Sequence, residues 1–111
     1  MADDLIDLPT LNELQETVGA EFVAELVGTF LEEAPGMIAE LRATREKGEA
    51  EAFRRAAHSL KTNANTFGAQ ALGAQALALE QGGLPDDAVA VDALESLYQE
   101  TATALQALSN G

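Results

Sequence analysis

Apolar side chains recur at steps of three and four through Val23, Leu26, Val27, Phe30, Ala34, Met37, Ile38 and Leu41. That spacing lines one face of an α-helix. The stripe keeps its phase across Pro35 and Gly36, so it predicts one kinked helix over 20–47, or two nearly collinear pieces, ended by Gly48. Ahead of it, Thr10 with Glu13 three residues later reads as a capping box. It opens a short helix over 10–18 that stops at Gly19, and residues 1–9 are expected to be frayed. A third helix is predicted over 49–67, with Gly68 as its terminator. A fourth spans 69–81, with Leu72, Ala76 and Leu79 facing inward. "GGLPDD" is the clearest break: two glycines, then a proline and acids suited to a helix start. The last helix is predicted over 86–108, through Val91, Leu94, Tyr98, Thr101, Leu105 and Leu108. Short connections between amphipathic helices imply antiparallel neighbours. The pattern therefore predicts an all-α fold, an antiparallel up-down four-helix bundle with a short extra N-terminal helix. At 111 residues this is one domain, spanning 1–111.

Composition narrows the chemistry. Cysteine is absent, which removes disulfides, zinc–thiolate sites and thiol redox switches. A net charge of -13 argues against nucleic acid and anionic membrane surfaces, since both require a cationic field. Met1 is followed by Asp3 and Asp4 rather than by a basic patch and an apolar run, so no signal peptide is read. The uncharged stretch 62–79 carries Thr62, Asn63, Asn65, Thr66, Gln70 and Gln75 and does not read as a membrane span. A cytoplasmic location is expected. The charge is also unevenly spread. All six bases (Arg42, Arg45, Lys47, Arg54, Arg55 and Lys61) lie in 42–61 beside only three acids, Glu46, Glu49 and Glu51, a local net of +3. On charge alone an ordinary mixed-charge helix surface is the better account of that, and handling of an anion the second.

The same window holds the single histidine, His58. On a wheel of about 100° per residue, Phe53, Ala56, Leu60 and Phe67 fall within about 40° of the side opposite His58 and form the expected core face. Arg54, Arg55, Lys61, Thr62 and Asn65 fall within about 60° of His58 itself. The histidine is thus expected in solvent, ringed by cations and small polar groups. An exposed imidazole is substantially neutral at pH 7, and a neutral imidazole is a nucleophile. Lys61, one turn on, can reach an anion attached to the ring. Ala57, Thr62 and Asn65 are short and allow another protein to come close. The arrangement suits transient attachment of a phosphoryl group. Other chemistries fit less well. A hydrolytic triad needs an orienting acid, and no acid lies on the His58 face of this helix. Zinc needs more His or Cys, and position 55 is Arg where a di-iron Glu-x-x-His pair needs Glu. No nucleotide-binding signature is present, so no kinase activity of its own is expected.

Residues 52–80, "AFRRAAHSLKTNANTFGAQALGAQALALE", closely resemble the histidine phosphotransfer (HPt) domains of bacterial two-component phosphorelays. The shared pattern is Ala57-His58, Leu60-Lys61, Gly68 ten residues after the histidine, and Leu79-Glu80. The preceding segment adds a Phe, an acidic pair, a Pro and helically spaced apolar residues, so the likeness covers roughly 20–80. It implies that His58 relays a phosphoryl group between aspartates of response-regulator receiver domains through its Nε2. It also implies that Lys61 balances the charge of the phosphorylated ring. Gly68 would permit close packing or a bend at the helix end. The expected docking residues are Arg54, Arg55, Ala57, Thr62, Asn65 and Gly68. The domain would need no cofactor of its own, Mg²⁺ being supplied by the receiver. Its partners would be receiver domains and a sensor histidine kinase, hybrid or not, and it would act as a monomer. The family usually places Gly directly after the lysine; here Thr62 stands there, on the docking face. Its branched side chain could narrow the approach to the ring, or its hydroxyl could fold back onto the carbonyl one turn earlier. Thr62 also motivates an alternative: a helical-bundle adaptor that docks a receiver or kinase domain without phosphotransfer.

Overall fold

The computed structural model describes residues 5–110, and they contain five helices and no strand: α1 (Leu8–Val18), α2 (Ala20–Lys47), α3 (Ala50–Thr66), α4 (Gln70–Gly82) and α5 (Val89–Asn110). Short connections turn the chain back after each long helix. Contacts run α2 to α3, α3 to α4, α4 to α5 and α5 back to α2, which closes a four-helix ring, and α1 packs on α2. The all-α bundle with a short extra N-terminal helix is the observed architecture.

Pro35 lies inside α2, which passes through it as one helix. Proline cannot donate the amide that would bond the Leu31 carbonyl one turn earlier. The Tyr98 hydroxyl of α5 donates to that carbonyl instead, at 3.2 Å. The break in the ladder thus becomes a tie between two helices. Gly48 ends α2 with φ of 72°, and the amides of Gly48 and Glu49 turn back to the Arg45 and Thr44 carbonyls. Gly68 closes α3 the same way at φ of 77°, its amide bonding Asn65 and that of Ala69 bonding Ala64. These are left-handed closures that favour glycine.

The N-terminal expectations need correction. Residues 1–4 of the segment expected to fray lie outside the described residues. From there on the chain is anchored: Ile6 is fully buried, and the Asp7 amide donates to the Gly68 carbonyl at 2.6 Å. Helix α1 begins at Leu8, so Thr10 is not its N-cap. Asp7 holds that place, accepting the Thr10 and Leu11 amides on its carbonyl and the Thr10 hydroxyl on its carboxylate. Pro9, in the first turn, has no amide to satisfy there, which allows the earlier start. At the other end, α5 begins at Val89 rather than near 86, because Asp87 folds its carboxylate onto the Val89 amide at 3.0 Å.

The core is one cluster running the length of the bundle. Phe30 packs against Phe67 (ring centroids 5.6 Å apart) and edge-on to Tyr98 (6.3 Å). The buried face of α3 is Phe53, Ala57, Leu60 and Ala64, with Phe67 just beyond; Ala56 is only partly buried. The core face is therefore rotated towards α4 from the one drawn through Ala56. Arg42 leaves the basic window altogether and pairs across to α5, with Asp92 at 2.6 Å and with Glu95.

Candidate functional site

Helix α3 projects His58 from its middle, away from Phe53, Ala57 and Leu60, and the side chain is 53% exposed. Its Nδ1 lies 3.0 Å from Glu80 Oε2, contributed by the last turns of α4. The other carboxylate oxygen, Oε1, lies 2.9 Å from the Lys61 ammonium. That approach is off the ideal hydrogen-bond line, so it acts as a close ion pair. Glu80 is the least exposed member at 14%, and Lys61 is itself only 21% exposed. The Lys61 ammonium first, and the His58 ring after it, hold the Glu80 carboxyl below the usual carboxylate range, against the opposing effect of partial burial.

Two consequences follow for the ring. An ionised carboxylate only accepts hydrogen bonds. A neutral imidazole beside it therefore presents Nδ1–H to Glu80 and leaves the lone pair on Nε2. With Nδ1 turned to the half-sheltered carboxylate, Nε2 occupies the outward edge of an exposed ring. The site offers a nucleophile with its tautomer set by a neighbour.

The acid corrects the earlier exclusion. Glu51 of α3 does share the His58 face, but two turns back and turned to Arg54 and Arg55; the carboxylate at the ring is supplied by α4. The wheel of a single helix contains no information about its neighbour. The available signal was the Leu79-Glu80 pair: a core leucine places the next residue at the edge of the α3–α4 seam.

The remaining predicted residues separate into two groups. Arg54, Arg55, Thr62 and Asn65 are exposed on the His58 face. Arg54 is clamped by Glu51 through Nη2 (2.6 Å) and Nε (3.2 Å), which raises its pKa further, and its Nη1 comes to 4.0 Å from Glu80 Oε2. Arg55 reaches Glu51 at 3.7 Å and otherwise projects into solvent. Asn65 lies over Gly73 of α4, so closely that a Cβ on Gly73 would sit 2.1 Å from its Oδ1. Thr62 makes no side-chain hydrogen bond among the described residues; the fold-back onto His58 is not formed, and the Thr62 carbonyl instead accepts from Thr66 at 3.0 Å. Ala57 and Gly68 are corrected: both are buried and touch no approaching surface. Ala57 packs in the core towards α4. Gly68 is placed by the N-terminal segment, since a Cβ there would lie 2.6 Å from the Asp7 carbonyl oxygen.

On the flank of α3 facing α2, an open groove of about 540 Å³ runs past Glu33, Met37, Glu40, Ala56 and Ser59. The ring thus stands between an acidic groove on one side and the Arg54–Glu80–Lys61 cluster on the other. Among the described residues, no group of three or more His, Asp or Glu side chains is arranged to hold a metal ion, and no helix is long and apolar enough to cross a membrane.

Searches of curated proteins and of solved structures found no match. The profile of the Hpt domain matches residues 25–109, from the second turn of α2 to the end of α5, and takes in His58, Lys61 and Glu80. A match over that much of the bundle means that the chain belongs to the Hpt domain family, the helical domains of histidine phosphotransfer in phosphorelays.

Proposed function

We propose that this domain is a phosphocarrier that takes a phosphoryl group from an aspartyl phosphate of one receiver domain onto His58 and gives it to an aspartate of another. The observation that carries the reading is the His58 Nδ1 contact to Glu80 at 3.0 Å, on a ring that is half exposed. It supplies what phosphorus requires: an unprotonated, outward Nε2.

In the first transfer, the Nε2 lone pair attacks phosphorus in line while the bond from phosphorus to the aspartate oxygen breaks. The aspartate leaves as a carboxylate. The ring keeps its Nδ1 proton and becomes positively charged, and the Glu80 carboxylate faces that charge. In the second transfer, an aspartate carboxylate attacks phosphorus, the N–P bond breaks, and the ring leaves as neutral imidazole. No proton enters or leaves in either direction. Such a step depends on positioning and on charge around the phosphoryl oxygens more than on acid–base chemistry. The receiver brings the aspartate and the Mg²⁺ that neutralises its phosphate. The interface on this side should be small, as suits a carrier that must leave one partner to meet the next.

The adaptor alternative rested on Thr62 closing off the ring. In the structure His58 keeps 53% of its side chain exposed with Thr62 in place, which favours the carrier. The test is incubation with phosphorylated receiver domains and Mg²⁺, followed by acid-labile, alkali-stable label on this chain. Label on the wild type that disappears in His58→Gln is expected. Label that persists in His58→Gln would overturn the assignment. Receiver binding unaffected by phosphorylation and by His58→Ala would establish the adaptor instead.

A further inference from the structure

The hydroxyl of Thr62 differs from that of every other threonine among the described residues. Thr17, Thr29, Thr44, Thr66, Thr101 and Thr103 each donate to the carbonyl four residues back, and Thr10 donates to the Asp7 carboxylate. A bond to that carbonyl is the ordinary use of a threonine proton inside a helix. For Thr62 it would run to the carbonyl of His58, and it is not formed. Thr62 is exposed, and its hydroxyl proton has no acceptor among the described residues.

Its side of the helix gives that proton a use. At about 100° per residue, Lys61, Arg54 and Asn65 fall about 60°, 40° and 20° to one side of His58. That side faces α4: Lys61 and Arg54 approach Glu80 there, Asn65 lies over Gly73, and His58 Nδ1 is turned to Glu80. Thr62 falls about 40° to the other side, towards α2. The two nitrogens of an imidazole point nearly opposite ways, so Nε2 opens to the side that Thr62 occupies. Helical side chains lean towards the N-terminus, which carries the Thr62 hydroxyl back over the turn of His58, and residues four apart are surface neighbours. A phosphoryl group on Nε2 would bring three strong acceptor oxygens to that place.

Resting on the carrier reading above, we infer that the Thr62 hydroxyl donates a hydrogen bond to the phosphoryl group on His58. It adds a directed, uncharged donor on the Nε2 side and leaves the part expected of Lys61 as it is. The glycine usual at this place in the family has no such donor to give.

Wild type, Thr62→Val, Thr62→Ser and Thr66→Val proteins are loaded with phosphoramidate in the absence of any receiver. The lifetime of the phosphohistidine and the pH titration of its ³¹P resonance are then measured. Valine keeps the shape of threonine without the hydroxyl, and serine keeps the hydroxyl. Thr66, one turn on and already bonded to the Thr62 carbonyl, is the control. Thr62→Val should shorten the lifetime about twofold to fivefold, the lower range of a net hydrogen bond, as suits a site open to water. It should also move the ³¹P titration to higher pH, because the lost donor favoured the dianion. Thr62→Ser should stay close to wild type in both, and Thr66→Val should match it.

A Thr62→Val protein with wild-type lifetime and ³¹P titration would overturn this inference alone. So would a Thr62→Ser protein that loses as much as Thr62→Val, since the effect would then belong to the methyl group. An equal loss in Thr66→Val would assign the effect to the helix and overturn it as well. A properly folded wild type that takes no phosphoryl group on His58 would overturn the carrier reading and this inference together.

Discussion

Replacing Glu80 by glutamine tests the site at its least exposed member. The side chain keeps its size, so the α3–α4 seam stays packed. Two things change. A carboxylate can only accept from Nδ1, whereas an amide can accept through oxygen or donate through nitrogen. The ring is then free to take either tautomer, and the fraction with an unprotonated Nε2 falls from nearly all to roughly half. The second change is larger. During transfer the ring becomes positively charged, and the Nδ1–H···carboxylate contact strengthens as it does; a neutral acceptor supplies about half the strength of a charged one. For a pair open to solvent on one side, that difference is on the order of fivefold in rate. Together, Glu80→Gln should slow transfer from a phosphorylated receiver about tenfold, with the fold and the receiver affinity retained. Rapid-quench transfer at saturating receiver gives the rate, and ¹⁵N shifts of the His58 ring give the tautomer. A Glu80→Gln protein that transfers at the wild-type rate with mixed tautomers would falsify the claim that Glu80 sets the nucleophile. One that is slow but still holds a single tautomer would leave only the charge effect standing.

Other predictions concern stability. Tyr98→Phe removes the donor to Leu31 and should cost about 1 kcal/mol, a fall of several degrees in Tm. In a Pro35→Ala background, where a backbone amide can take over, urea unfolding should show the same change costing clearly less; equal costs would dissociate Tyr98 from the proline. Gly68→Ala meets both a left-handed φ and the Asp7 carbonyl, so it should destabilise by about 1–3 kcal/mol and speed hydrogen exchange at the Asp7 amide. Glu51 is held below the ordinary carboxylate range by the Arg54 guanidinium, and Glu80 by Lys61 and then His58. Their contribution to stability is therefore complete above the unfolded value of about 4.3 and lost as pH falls through the lower, folded values. Thermal unfolding between pH 6 and 3 should show this decline, with a shallower slope in Glu80→Gln; identical slopes would show that the carboxylate is not coupled to folding.

The helices were legible because each buries one stripe, and a stripe of period 3.6 leaves its record in the sequence. What lay outside that record was decided by contacts between distant segments. Thr10 with Glu13 satisfied the rule for a cap, but Asp7 took the position, and Asp7 is held by Gly68, sixty-one residues away. The wheel drawn from Phe53 and Leu60 put Ala56 in the core; α4 packs closer to the Ala57 side, which no pattern within α3 could show. Glu80 escaped for the same reason. His58 and Lys61 were visible because both lie on one helix. The carboxylate that joins them comes from the next, twenty-two residues from the ring.

That carboxylate also explains why an acidic chain concentrates its bases around one histidine. At rest the site is nearly balanced: Arg54, Arg55 and Lys61 face Glu51 and Glu80, three positive charges against two negative. On the proposed reading, a phosphoryl group adds about two negative charges and the ring contributes one positive, so the loaded site loses its small positive excess and comes out close to neutral. It does so on a protein of net charge -13, whose wider field opposes the gain. A site with several unpaired cations would hold the phosphoryl group and become a sink. A site with none would repel the incoming acyl phosphate. Balanced pairs that reopen only when the phosphoryl group arrives hold it loosely, and loose holding is what a carrier between two aspartates requires. Hence added charge should act in opposite directions on the two half-reactions: Glu51→Gln, which frees Arg54, should prolong the phosphohistidine and slow its discharge to a receiver. A Glu51→Gln protein that discharges faster than wild type would refute this account of the balance.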